Sequence, residues 1–147
     1  MQLVTLLPFL TVLGSGLASP MKRNTVFEIQ GLCATLYSND TLGNLQFTVQ
    51  NSSTNLEDSC YISWNPSNDI QPGIELNKCA QDNFEFGFRY GLQIENFVLD
   101  LKQVKASQTA YQVINTSARN SNWVCVKNPE EGIQERCHYN GVLDVSP

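Results

Sequence analysis

Apolar and polar side chains alternate over run after run of this chain, and a period of two commits those runs to strands. Leu45-Gln46-Phe47-Thr48-Val49-Gln50 alternates without a break, and so does Phe84-Glu85-Phe86-Gly87-Phe88-Arg89-Tyr90, which sets four aromatics on one face. Phe97, Leu99 and Leu101 alternate with Val98, Asp100 and Lys102. Such patterns describe strands with one buried face. Further candidate strands cover residues 26–36, 59–64, 74–79, 109–115, 123–127 and 141–145. Clusters of Ser, Asn, Asp, Gly and Pro at 38–44, 51–58, 65–73, 117–122 and 128–132 supply the reversals between them. No window carries a helical stripe of useful length, and no repeat or linker divides the chain. The expectation is a single all-β domain, an antiparallel β-barrel or sandwich of about eight to nine short strands.

The first residues read differently. Leu3, Val4, Leu6, Leu7, Phe9, Leu10, Val12 and Leu13 form an apolar run, followed by Gly14, Ser15, Gly16, Ala18 and Ser19. Gly16 and Ala18 fit the small-x-small rule of a signal peptidase, which predicts a signal peptide over 1–18. Lys22-Arg23 then marks a dibasic processing site, so 19–23 reads as a pro-segment and 24–147 as the secreted domain. The apolar run falls short of the roughly 20 residues a membrane helix needs. The expected location is extracellular, with no membrane partner.

Five cysteines stand at 33, 60, 79, 125 and 137. In an oxidising compartment they read as a disulfide framework with one thiol left over. Several pairings remain open, and local spacing favours Cys60 with Cys79 and Cys125 with Cys137, because each pair encloses a turn-rich loop. Cys33 lies in an apolar strand pattern and is read as a buried free thiol or as an intermolecular bridge, giving a monomer or a Cys33-linked dimer. Asn39, Asn51 and Asn115 each begin a glycosylation sequon. Trp64 and Trp123, each near a cysteine, are expected to pack on the disulfides in the core.

Chemistry is sparse. The net charge of -5 argues against nucleic acid as a partner. His138 is the single histidine; no nucleophile elbow accompanies it, and one histidine with bridged cysteines cannot hold zinc. Glu85, Glu95 and Asp100 offer carboxylates for glycoside hydrolysis, but Glu85 and Asp100 fall on the polar phase of their strands. Phosphate and dinucleotide motifs are absent from the sequence. No enzyme, cofactor or metal is expected.

The order of elements then suggests a family. Phe27-Glu28-Ile29, the strand at Leu45-Val49, Cys60 with Trp64, Cys79, the strands at Phe84-Phe88 and Phe97-Leu101, and finally Cys125, Cys137 and Gly141-Val142 together resemble the Alternaria major-allergen-like family of small secreted fungal proteins. The resemblance spans most of 26–145. It implies an antiparallel β-barrel or sandwich with two intrachain disulfides, again Cys60-Cys79 and Cys125-Cys137. It also implies a fungal extracellular protein acting as a plant-interacting effector, elicitor or allergen, and it supplies no catalytic residues. The expected function is non-enzymatic recognition of an extracellular protein or glycan, with the loops 65–73 and 128–136 as contact surface. One alternative is a carrier whose aromatic face lines a cavity for a small apolar ligand. Another is a hydrolase or protease inhibitor.

Overall fold

The computed structural model describes residues 27–39, 42–66 and 76–146. The segments expected as signal peptide (1–18) and pro-segment (19–23) and most of the loop 65–73 lie outside the described residues. Ten strands run in order: β1 (Phe27–Tyr37), β2 (Gly43–Asn51), β3 (Leu56–Trp64), β4 (Asn77–Lys78), β5 (Phe84–Gln93), β6 (Asn96–Gln103), β7 (Gln108–Asn115), β8 (Trp123–Lys127), β9 (Ile133–Tyr139) and β10 (Leu143–Val145). All pairings are antiparallel. A six-stranded sheet has the order β3-β2-β1-β9-β8 with β10 also on β1, and a four-stranded sheet has the order β4-β5-β6-β7. The two sheets face each other as a sandwich and do not close into a barrel.

β1 serves both halves of the larger sheet. One edge pairs with β2, while the other pairs first with β10 and then with β9. A bulge between Gln30 and Cys33 marks the change, with Gly31 at φ +62°. That positive φ suits glycine, which has no Cβ to clash. The bulge also shifts the inward phase by one residue. Phe27 and Ile29 point into the core, and after it Leu32 and Ala34 do so. Uninterrupted alternation would have buried Cys33; the bulge turns it to the outer face as a half-buried free thiol.

The core is aromatic. Phe27 meets Phe84 and Phe47 meets Phe86 across the sandwich, edge to face, at 5.6 and 5.2 Å between ring centroids. Phe86, Phe88, Phe97 and Trp123 continue the chain of edge-on contacts and return it to the larger sheet. Each such pair adds about 0.5–1.5 kcal/mol beyond its buried area. Trp123 Nε1 donates to the Ile94 carbonyl at 2.9 Å, so its one polar atom is satisfied in the interior. Trp64 and Trp123 lie in the same buried cluster as Cys60, Cys79 and Cys137.

Both disulfides pair as the spacing favours. Cys60-Cys79 ties β3, at one edge of the larger sheet, to the turn leaving β4 of the smaller one. Cys125-Cys137 joins direct register partners on β8 and β9. Beside the first bridge, the Asp58 carboxylate is 2% exposed and accepts the backbone N–H groups of Ser59, Gln81 and Asn83 at 2.8–3.2 Å. Those bonds fix the 79–83 turn against β3 and give a buried charge the partners it requires.

Two expectations change. The 128–136 stretch is not one loop: a reversal at 128–132 leads into β9, whose Ile133 and Glu135 are buried. The other change is on β5. Phe84, Phe86 and Phe88 are buried as expected, but Tyr90 is 75% exposed. A register shift between Phe88 and Leu92, with Gly91 at φ +85°, ends the alternation before Tyr90.

Candidate functional site

The outer face of the smaller sheet carries the most developed constellation among the described residues. Register places Gly87, Asp100 and Tyr111 side by side on β5, β6 and β7. Gly87 contributes no side chain to the row and is itself buried. Arg89, two residues further along β5, reaches across it. Its Nε and Nη2 donate to the two Asp100 oxygens at 3.3 and 2.5 Å, and its guanidinium carbon lies 4.4 Å from the Tyr111 ring centroid. This hydrogen bonding pushes the Arg89 pKa further up, so the cation is permanent. One row away, Lys102 donates to its register partner Glu85 at 3.1 Å.

These groups border a shallow groove of about 430 Å³, lined by Leu76, Arg89, Asp100, Lys102, Thr109 and Tyr111. That volume lies within the roughly 300–1,000 Å³ of small-ligand clefts. Tyr111 is 47% exposed, and Val113 and Leu76 are also exposed. Fixed flat groups on rigid strands, with apolar and charged surface interleaved, can stack on one face of a ligand and hydrogen-bond its edge.

The carboxylates singled out from sequence therefore divide. Glu85 and Asp100 are ion-paired on this outer face, each to a cation on the neighbouring strand. Glu95, at the β5–β6 turn, bonds Lys127 at 3.4 Å and belongs to a second cleft, of about 360 Å³, with Thr116, Ser121, Trp123 and Glu135. A carboxylate oxygen of Glu135 lies within 4.8 Å of the Cys125 and Cys137 sulfurs, but those sulfurs are bonded to each other and offer no thiolate to a metal.

His138 is exposed on the outer face of the larger sheet, where it is the register partner of Cys33. That neighbourhood is not legible along the chain, because the bulge at Gly31 decides it. The sequons also differ. Asn39 is exposed at the end of β1 and Asn115 is half-buried at the end of β7. Asn51 is 2% exposed; its Nδ2 donates to Gln103 and Gln108 at 2.7 and 3.1 Å, and its Oδ1 accepts from Ser53. That amide ties the two sheets together.

No family model, curated protein or solved structure matches this chain. Among the described residues, no helix is long and apolar enough to cross a membrane.

Proposed function

We propose that the chain is a secreted, non-enzymatic recognition protein that binds an extracellular carbohydrate through the outer face of its smaller sheet. The observation that carries this reading is Arg89, forked onto Asp100 and laid over Tyr111. An exposed ion pair contributes little to stability, because water screens it and ordering long side chains costs entropy. Folding therefore gives no reason to align these three groups. A sugar does: its C–H face packs on an aromatic ring, and its hydroxyls take hydrogen bonds from a guanidinium and give them to a carboxylate. The groove beside Leu76 extends the surface beyond one ring, and Tyr90, next to Arg89 in the chain, is exposed.

Secretion is supported by the apolar leader with its small-residue cut site and by two disulfides, which persist in oxidising compartments. The order of the bridged cysteines also supports the likeness to the allergen-like fungal family, and with it an effector- or elicitor-like role at a plant surface. A carrier would need space between the sheets, and there Phe84 packs on Phe27, Phe86 on Phe47 and Phe88 on Phe86, ring against ring.

The test is co-sedimentation of the purified 24–147 chain with insoluble cellulose, chitin, xylan and β-1,3-glucan. The wild type should be retained by at least one polymer. Tyr90→Ala and Tyr111→Ala should each lose most of that retention with unchanged thermal unfolding. Retention that neither substitution alters, or none on any polymer, overturns the reading.

A further inference from the structure

Glu135 breaks the rule that made this chain legible. It occupies an inward position on β9, between Ile133 and Cys137, and is 7% exposed. Its Oε1 has no hydrogen-bond partner among the described residues. A buried carboxylate oxygen without a partner is costly enough that such a group ordinarily neutralises instead.

Its surroundings show how. From β8, the register partner is Lys127; from β1, it is Leu36, which carries no charge. From the smaller sheet, the β5–β6 turn brings Glu95 against it. On β9 itself, Arg136 is engaged with Glu130 on the other face. Two carboxyl groups thus meet one ammonium, and that ammonium is 3.4 Å from Glu95 on an exposed side chain. One negative charge is left over in a half-closed cleft.

We propose that Glu135 and Glu95 hold one proton between them, and that this shared proton is an acid-closed latch joining the β5–β6 turn of the smaller sheet to β8–β9 of the larger one. With the proton present, one carboxyl donates to the other and the turn is held. Without it, two carboxylates face each other, and Lys127 can compensate only one. Burial raises the Glu135 pKa most, contact with Glu95 adds to this, and Lys127 opposes both. Because the folded value lies above the unfolded one, the stabilisation is complete below the ordinary glutamate value of 4.5. It is lost as pH rises through the folded value. The latch closes where the Trp123 indole already bonds the Ile94 carbonyl and the Thr116 N–H bonds the Glu95 carbonyl. Its release therefore loosens one corner of the sandwich.

The experiment compares thermal unfolding of the wild type and Glu135→Gln from pH 4 to pH 8 in the presence of a chelator. The Tm gap between them should be constant near pH 4. By pH 7.5 it should have shifted by several degrees in favour of the variant, which keeps the shape of the carboxyl and never ionises. A gap that stays constant across the range overturns the proposal. Carboxyl ¹³C NMR of the wild type decides the matter even if the variant fails to fold. One titration step of the Glu135–Glu95 pair should lie above the ordinary glutamate range, and in Glu95→Gln the Glu135 step should move back toward it. Ordinary values for both glutamates overturn the proposal. So does a rise in wild-type Tm on adding calcium at pH 7.5 that Glu135→Gln abolishes, because a cation and not a proton would then neutralise the pair.

Discussion

Arg89 lies over Tyr111, its guanidinium carbon 4.4 Å from the ring centroid, and the two residues come from strands that do not touch. β6 runs between them and supplies Asp100, the carboxylate that orients the guanidinium. The arrangement depends on the register of three strands. It is fixed before any ligand arrives, so little entropy remains to be lost on binding.

The fork should matter more than the charge. Arg89→Lys keeps the cation but cannot bond both Asp100 oxygens or lie flat on Tyr111. Retention on the recognised polysaccharide should fall roughly five- to tenfold, the scale of an interface contact that counts. The Tm should not change, as differential scanning fluorimetry would show.

A methyl group should be too large at Gly43. This glycine is the register partner of Trp64, and a Cβ there would lie 2.6 Å from the indole ring. Trp64 is buried in the core and has nowhere to retreat. Gly43→Ala should destabilise the fold by about 1–3 kcal/mol, the usual cost of overpacking. Urea unfolding followed by tryptophan fluorescence measures it.

Asp58→Ala strands the N–H groups of Gln81 and Asn83, which now end on its carboxylate. The cost should be about 2–4 kcal/mol, since orphaned donors lose more than a hydrogen bond nets. The same variant should expose the Cys60-Cys79 bridge to faster reduction by dithiothreitol, because the turn after Cys79 loses its anchor. A stability matching the wild type would show that water replaces the carboxylate without penalty.

Glycans should follow exposure. Asn39 and Asn115 are placed at strand ends, whereas the Asn51 amide is spent on Gln103 and Gln108 between the sheets. Glycopeptide mass spectrometry of protein expressed in a secretory host should find Asn51 bare and the other two occupied. A glycan on Asn51 in folded protein would contradict the burial described here.

Alternation was enough to read β2, β6 and β5 as far as Phe88, because each has one buried face and no interruption over that run. Local spacing was enough for both bridges. The readings failed where one residue changed the phase or the chemistry of a face. Bulges at Gly31 and near Gly91 turned Cys33 and Tyr90 outward, and alternation carries no sign of an inserted residue. β9 stayed hidden because Glu135 fills an inner position where the pattern demands an apolar side chain. The Arg89–Asp100–Tyr111 group was out of reach for a different reason: it is a property of register across three strands, while sequence displays only neighbours along one.

Sugar binding at this outer face can be read directly in solution. The decisive experiment maps backbone amide shifts in ¹⁵N-labelled protein as cello-, chito-, xylo- and β-1,3-gluco-oligosaccharides are added. Saturable shifts should centre on Arg89, Asp100, Thr109 and Tyr111 and be absent in Tyr111→Ala. Shifts centred instead on Cys33 and His138 of the larger sheet, or no shifts with any of the four sugars, would contradict it.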